Sequence, residues 1–212
     1  MKKAKQIITA IGALSLLVSF GNNTSNRPKK IGTQIWDVVN LDVSTFKNGD
    51  TIPEAKTADE WVKAGDNGQP AWCYYDNDPI NGKKYGKIYN WFAVKDARGL
   101  APVGWHVPND KEWEILIDYL GGEKNSSGKM KTSKGWKGNG NGTNKSGFTA
   151  LPGGRRFFYG AFNNIGSNGY WWSSTEGKVS ISWDRGLTSN SGFVNGVDYD
   201  GRTGYSVRCI RD

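Results

Sequence analysis

Ten tryptophans and nine tyrosines stand in a chain of 212 residues that holds only nine leucines. Such rings dominate any core they enter, because each buries roughly 150–250 Å² and brings a polar atom that needs a partner. Leu, Ile, Val and Phe together number 42, close to the roughly 20% share below which chains tend to stay unfolded. The Trp and Tyr load lies outside that share and places the chain on the folded side. A net charge of +8 is also modest for this length. With 29 Gly and 7 Pro, the rings must be carried by short elements joined by many turns. A long helical bundle, a coiled coil and a multi-span membrane protein are excluded.

The first segment reads as a secretory signal. Lys2, Lys3 and Lys5 form a basic start, Ile7 to Phe20 is mostly apolar, and Ser19-Phe20-Gly21 is a small-x-small cleavage pattern. The apolar run is shorter than the roughly 20 residues of a spanning helix. Residues 1–21 are therefore expected to be removed, with an uncleaved anchor as the alternative. Either way the rest faces an extracytoplasmic space, with no membrane span after signal removal. No cysteine lies in this segment to carry a lipid. Losing three lysines leaves a scattered excess of positive charge without a run of five like charges. That is no nucleic-acid footprint. Cys73 and Cys209 are the two cysteines, and in an oxidising compartment an even count suggests a bridge. A chain-entropy argument gives a loop that long roughly 4–5 kcal/mol. Two buried free thiols are the alternative.

Residues 22–30 read as a flexible lead-in, and 31–212 as one domain. Ile31 to Val43 is rich in β-branched residues and reads as a strand. Thr57-x-x-Glu60 is a capping box that starts a helix over TADEWVKAG, stopped by Gly65 or Gly68. Ala71 to Asp76 reads as a strand. Asp76 to Gly86 reads as a polar loop, with turn signals at Asp78-Pro79 and Asn81-Gly82. Tyr85 to Val94 fits either strand or helix. Asn109 with Glu112 caps the clearest helix, Asp110 to Leu120, whose Trp113, Leu116, Ile117 and Leu120 form one apolar face. Gly121-Gly122 ends it. Gly135 to Gly147 is loop. Short β-like runs follow at Phe148 to Leu151, Arg155 to Phe162, Tyr170 to Thr175, Lys178 to Trp183 and Tyr205 to Arg211. Two short helices early and several short antiparallel strands late make an α+β fold with long loops.

Eight phrases in order then resemble one family: IGTQIWDVVNLDV, AWCYYDNDP, YGKIYNWFAV, GLAPVGWHVPNDKEW, YLGG, GFTALPGGRR, GYWWSSTE and YSVRCIRD. They look like the Fibrobacter succinogenes major paralogous domain, from about Ile31 to Asp212. The family is specific by motif but largely undefined in biochemical role. More distantly, HVPNDKEWEIL and SVRCIRD resemble the helix start and terminal strand of formylglycine-generating-enzyme-like domains. That likeness implies a C-type-lectin-like fold in which Ile31 to Val43 pairs with Tyr205 to Arg211. Many members of the paralogous family carry a cysteine before their Pro-x-Gly-Trp phrase, where this chain has Ala101. Cys73 is then an alternative partner for Cys209.

The chemistry-bearing residues point away from catalysis. His106 is the single histidine, too few for a His-rich zinc site or a Ser-His-Asp triad, and it reads as a packed, hydrogen-bonded side chain. The two cysteines do not match the copper-binding pair of the oxidative formylglycine enzymes. Asp76, Asp78, Glu176, Asp184, Asp198 and Asp200 could supply a hydrolase's carboxylate pair, but spacing singles out none. Asp76-Asn77-Asp78 and Asn195-x-x-Asp198-x-Asp200 also offer oxygens to calcium, although without EF-hand spacing. As calcium candidates we take Asp76, Asp78, Asp198 and Asp200; turn formation is the plainer role. No other cofactor is expected. Sugar rings stack on aromatic side chains while amides and charged groups meet their hydroxyls. Tyr159, Phe162, Asn163 and Trp183 are the candidates for such a face. The expectation is a secreted or surface-held bacterial binding or adhesion module for a glycan or surface protein. A structural assembly protein and a glycoside hydrolase or other enzyme are the alternatives.

Overall fold

A computed structural model describes residues 27–177, 181–191 and 194–212, with the backbone alone for 181–183 and 194–199. The expected signal lies outside the described residues. The first elements are β1 (Lys29–Ile31), β2 (Gln34–Trp36), α1 (Ala58–Asp66) and β3 (Trp72–Cys73). Next come α2 (Pro79–Tyr85), β4 (Ile88–Asn90), α3 (Trp91–Val94), β5 (Trp105–His106), α4 (Asp110–Tyr119) and α5 (Glu123–Met130). The second half holds β6 (Arg155–Arg156), β7 (Phe162–Asn163), β8 (Asn168–Glu176), β9 (Ile181–Thr188), β10 (Val194–Asp200), β11 (Gly204–Tyr205) and β12 (Ile210–Arg211). The fold is mixed α+β with antiparallel sheets.

Both capping boxes form. Thr57 and Glu60 close the start of α1, and Asn109 and Glu112 that of α4, each pair exchanging side-chain and backbone bonds. Trp113, Leu116, Ile117 and Leu120 are all buried, as one apolar stripe requires. The helix content nevertheless exceeds the expected two. Asp78-Pro79 starts α2 instead of a turn: Asp78 accepts from Ile80 N, and proline at the first position loses no hydrogen bond. Gly82 is needed inside this helix, since a Cβ there would lie 2.3 Å from the Tyr74 ring. The helix α5, EKNSSGKM, is weak in propensity and has no side-chain cap. Its buried Ser126, Ser127 and Met130 show that packing holds it. Tyr85 to Val94 is neither one strand nor one helix: Tyr85 ends α2, and β4 and the single turn α3 follow, with the Asn90 side chain capping that turn by accepting from Ala93 N.

Several expected strands are broken. Ile31 to Val43 turns back at Gly32, so β1 pairs with β2 and the lead-in contributes Lys29 and Lys30 to the sheet. Phe148 to Leu151 makes one bridge, Ala150 to Lys131. Arg155 to Phe162 is the hairpin β6–β7 rather than one strand. Three sheets result among the described residues, with orders β1-β2-β12-β5, β10-β9-β8 and β3-β4-β11-β6-β7. Segments 31–43 and 205–211 pair as the resemblance implies: Ile210 lies opposite Trp36, Asp37 N donates to Cys209 O and Leu41 N to Val207 O.

The segment 204–211 stitches the sheets together. β11 pairs with β4 and β6, Ser206 bridges to Trp171 of β8, and β12 pairs with β2 and β5. Serving three sheets breaks the alternating strand expected here and buries every residue from Thr203 to Ile210. On β8, neighbouring rings point to opposite sides, as strand geometry demands. Trp172 packs with Trp91 and Tyr205, its ring 4.5 Å from that of Tyr205. Trp171 joins Trp36, Trp113 and Phe148, in which the Trp36 and Trp113 rings are 4.8 Å apart.

The expected disulfide is absent. Cys73 and Cys209 are free and buried in different apolar clusters, Cys73 with Trp61 and Tyr75, Cys209 with Trp72 and Trp172. Burial pushes both thiols up to about 12, which keeps them protonated and poor nucleophiles. Their contribution is packing rather than a cross-link.

Candidate binding site

The hairpin β6–β7 carries three consecutive aromatics, Phe157, Phe158 and Tyr159, at its tip. A two-residue period cannot turn three neighbouring side chains inward, so at least one must face solvent. Phe158 is 39% and Tyr159 53% exposed. Phe157 and Tyr159 stack with centroids 5.0 Å apart and planes at 11°, and Phe158 meets Tyr159 edge-on at 5.1 Å. Arg155 lays its guanidinium over Phe157 at 4.1 Å.

The tip is held from beneath. Arg156 is buried and donates to Gly160 O (3.0 Å), Ala55 O (2.8 Å) and Thr57 O (2.8 Å). The guanidinium thus ties the hairpin turn to the start of α1, satisfying carbonyls that no strand reaches. Gly160 has φ +90°, and a Cβ there would stand 2.6 Å from Ala58 Cβ. Only glycine allows both the turn and this approach to the helix.

Beside the tip lies a cleft of about 590 Å³, within the range of small-ligand sites. The ends of α1, α3 and β8 and the β10–β11 turn meet here. Phe92 is its half-buried ring, with Lys95 over that ring at 5.6 Å and 3.7 Å from Glu176. Arg202 joins cleft to hairpin. It donates to Asp66 at 2.8 Å and to Asp200 at 2.7 Å, and its guanidinium lies 5.0 Å from the Phe158 ring. Gly65 of α1 makes room for it, because a Cβ there would meet the Arg202 stem at 3.0 Å. Partial burial works against the charged Asp200, but the bonds from Arg202 outweigh it and hold the carboxyl below its usual range.

The sequence-derived candidates separate. Tyr159 and Asn163 are exposed on the hairpin. Phe162 turns inward, packing on Tyr75 at 5.1 Å, because it alternates with its exposed neighbours. Trp183 sits opposite Asp198 across β9–β10, and the side chains of both lie outside the described residues. Of the calcium candidates, Asp76 is exposed in a left-handed turn, Asp78 caps α2 and Asp200 pairs with Arg202. Among the described residues no three His, Cys, Asp or Glu side chains converge as a metal site. Asp184 is buried in β9 and is not among the residues lining the cleft, whereas Glu176 is. The residues missed by sequence reasoning are Phe158, Phe92, Asp66, Lys95 and Arg202. The Phe157-Phe158-Tyr159 run carried a signal for the first; the others are gathered from α1, α3 with its C-cap Lys95, and the β10–β11 turn, and share none.

His106 is held through both ring nitrogens, Nδ1 to Asp212 at 2.7 Å and Nε2 to Glu112 at 2.8 Å. Burial disfavours its charge, yet the two carboxylates prevail and raise its pKa. An imidazolium donates to both at once, so the side chain clasps β5 to the last residues and the start of α4.

Residues 30–211 match the family model described as the Fibrobacter succinogenes major domain (Fib_succ_major). The chain belongs to that family. The match covers every strand and helix above except the first residue of β1, so hairpin, cleft and terminal stitch all lie within the Fibrobacter succinogenes major domain. No curated protein and no solved structure matches the chain. Among the described residues, no helix of this family member is long and apolar enough to cross a membrane.

Proposed function

We propose that this protein is an extracytoplasmic, non-catalytic binding module of C-type-lectin-like fold that presents its β6–β7 tip to a glycan. Residues 1–21 would direct its export and 31–212 would form the module. The observation that carries the reading is the pair of exposed rings, Phe158 and Tyr159, on a hairpin pinned by a buried arginine. Solvent-facing rings gain little for folding, and a rigid support removes the ordering cost that would otherwise oppose binding. Flat C–H faces of pyranose rings suit them, and exposed Asn163 stands on the same hairpin as a hydroxyl partner.

The test is a binding screen of the protein against soluble and insoluble polysaccharides, with and without calcium. Tyr159→Ala and Phe158→Ala are each expected to weaken binding about tenfold, equivalent to about 1.4 kcal/mol, with an unchanged circular dichroism spectrum. Absence of binding across the panel, or binding indifferent to both variants, rejects the proposal. A second reading, docking of another protein, is favoured by a separate feature: Ile115 and Tyr119, four residues apart on α4, are 48% and 65% exposed. Ile115→Ser with Tyr119→Ser would then abolish partner capture and leave polysaccharide binding intact.

A further inference from the structure

We infer that the cleft beside the hairpin selects neutral, hydroxyl-rich sugar chains and turns away acidic ones, with Arg202 spent on shaping the site rather than on capturing an anion. This rests on the glycan-binding reading above. Without residues 1–21 the chain is still basic, with 25 Lys and Arg against 20 Asp and Glu, and such a surface on its own favours polyuronates and sulfated polymers. The described side chains of the cleft have the opposite balance: Asp66, Glu176 and Asp200 against Lys95 and Arg202.

The geometry of Arg202 decides how that balance is felt. Its Nε and Nη2 engage both oxygens of Asp200, and its Nη1 engages Asp66. Its Nε–Nη2 edge, the bidentate grip that would suit a uronate carboxylate, is already taken by Asp200, and Asp66 occupies Nη1 as well. One face of the guanidinium is also taken by Phe158. What the cleft offers a ligand is therefore chiefly carboxylate lone pairs, which accept from sugar hydroxyls, beside the ring of Phe92 and a Lys95 ammonium 3.7 Å from Glu176. Asp200 remains ionised under mildly acidic conditions because Arg202 outweighs its partial burial, so the acceptor character persists there. A uronate entering this space would bring a fourth carboxylate near three.

The experiment is competition at about 0.15 M salt, where exposed charges more than roughly 8 Å apart are screened. A neutral hexasaccharide that binds in a Tyr159-dependent way is challenged with neutral oligosaccharides and with oligogalacturonate of equal length. Neutral oligosaccharides should compete at least about tenfold better. Glu176→Lys inverts one charge at a side chain that is 73% exposed, so the fold is expected to tolerate it, and the neutral-to-acidic ratio should fall about fivefold or more. Equal or better competition by oligogalacturonate overturns the inference while the glycan-binding reading stands. A ratio unmoved by Glu176→Lys overturns it too, since the selectivity would arise elsewhere. Failure of every polysaccharide to bind rejects the parent reading and this one together.

Discussion

Two regions of this molecule are built around a buried guanidinium, and they use it to opposite ends. At the terminal stitch, Arg208 donates to Asn40 Oδ1 at 2.7 Å and to the carbonyls of Asp37 and Phe148. Asn40 accepts also from Trp171 Nε1 at 2.9 Å. Every ring around it faces inward, and burial brings the arginine down to about 10. At the hairpin, Arg156 likewise satisfies three carbonyls, but the rings beyond it point outward. The comparison separates a polar network that welds segments 31–43 and 205–211 from one that steadies a presented surface. In both, a rigid planar donor replaces backbone pairing that short strands cannot supply.

The comparison can be broken, and the largest effect is expected at the stitch. Arg208→Met leaves the Asp37 and Phe148 carbonyls without this buried donor and Asn40 Oδ1 with Trp171 alone, and should cost about 3–5 kcal/mol in chemical denaturation. A loss under about 1 kcal/mol would mean the network is dispensable. Arg156→Met should cost about 2–3 kcal/mol, and hydrogen exchange should quicken at 157–161 but not at 204–211. Uniform quickening would show that the hairpin is part of the global core.

The stitch and the hairpin should also differ with pH. His106 clasps the stitch, and its folded pKa lies above the ordinary value of 6.5. Folding then binds its proton more tightly, so this contribution is fully present below about pH 6.5 and is lost as pH rises through the raised folded pKa. Stability should decline across that window, and His106→Gln should flatten the decline. A slope unchanged by the variant would place the titration elsewhere. The smallest effect belongs to the presented ring: Tyr159→Ala should shift stability by no more than about 0.5 kcal/mol. A larger loss would make Tyr159 part of the packing and weaken its case as a ligand contact.

Much of the local structure was legible because its causes are local. Thr57 with Glu60 and Asn109 with Glu112 cap the two helices they mark. The stripe from Trp113 to Leu120 is buried, and Trp171 and Trp172 part to opposite faces. Ambiguity arose where one signal serves two structures. Asp78-Pro79 opens a turn or a helix with the same dihedrals, and the Tyr74 ring over Gly82 fits the helix that forms. The cysteines misled because parity says nothing of position: Cys73 and Cys209 line separate clusters.

Residue identity thus settled the aromatic nature of the core, its capped helices, its α+β class and the need for some ring of the Phe157-Phe158-Tyr159 run to face water. Folding in three dimensions chose the rest. It divided segment 204–211 among three sheets, kept the thiols apart and brought Asp66, Phe92, Glu176 and Arg202 to one cleft. Capping and alternation act within a few residues and leave a mark in the sequence. A cleft drawn from elements up to 136 residues apart, like the Asp66–Arg202 pair, arises from packing among distant segments and leaves none.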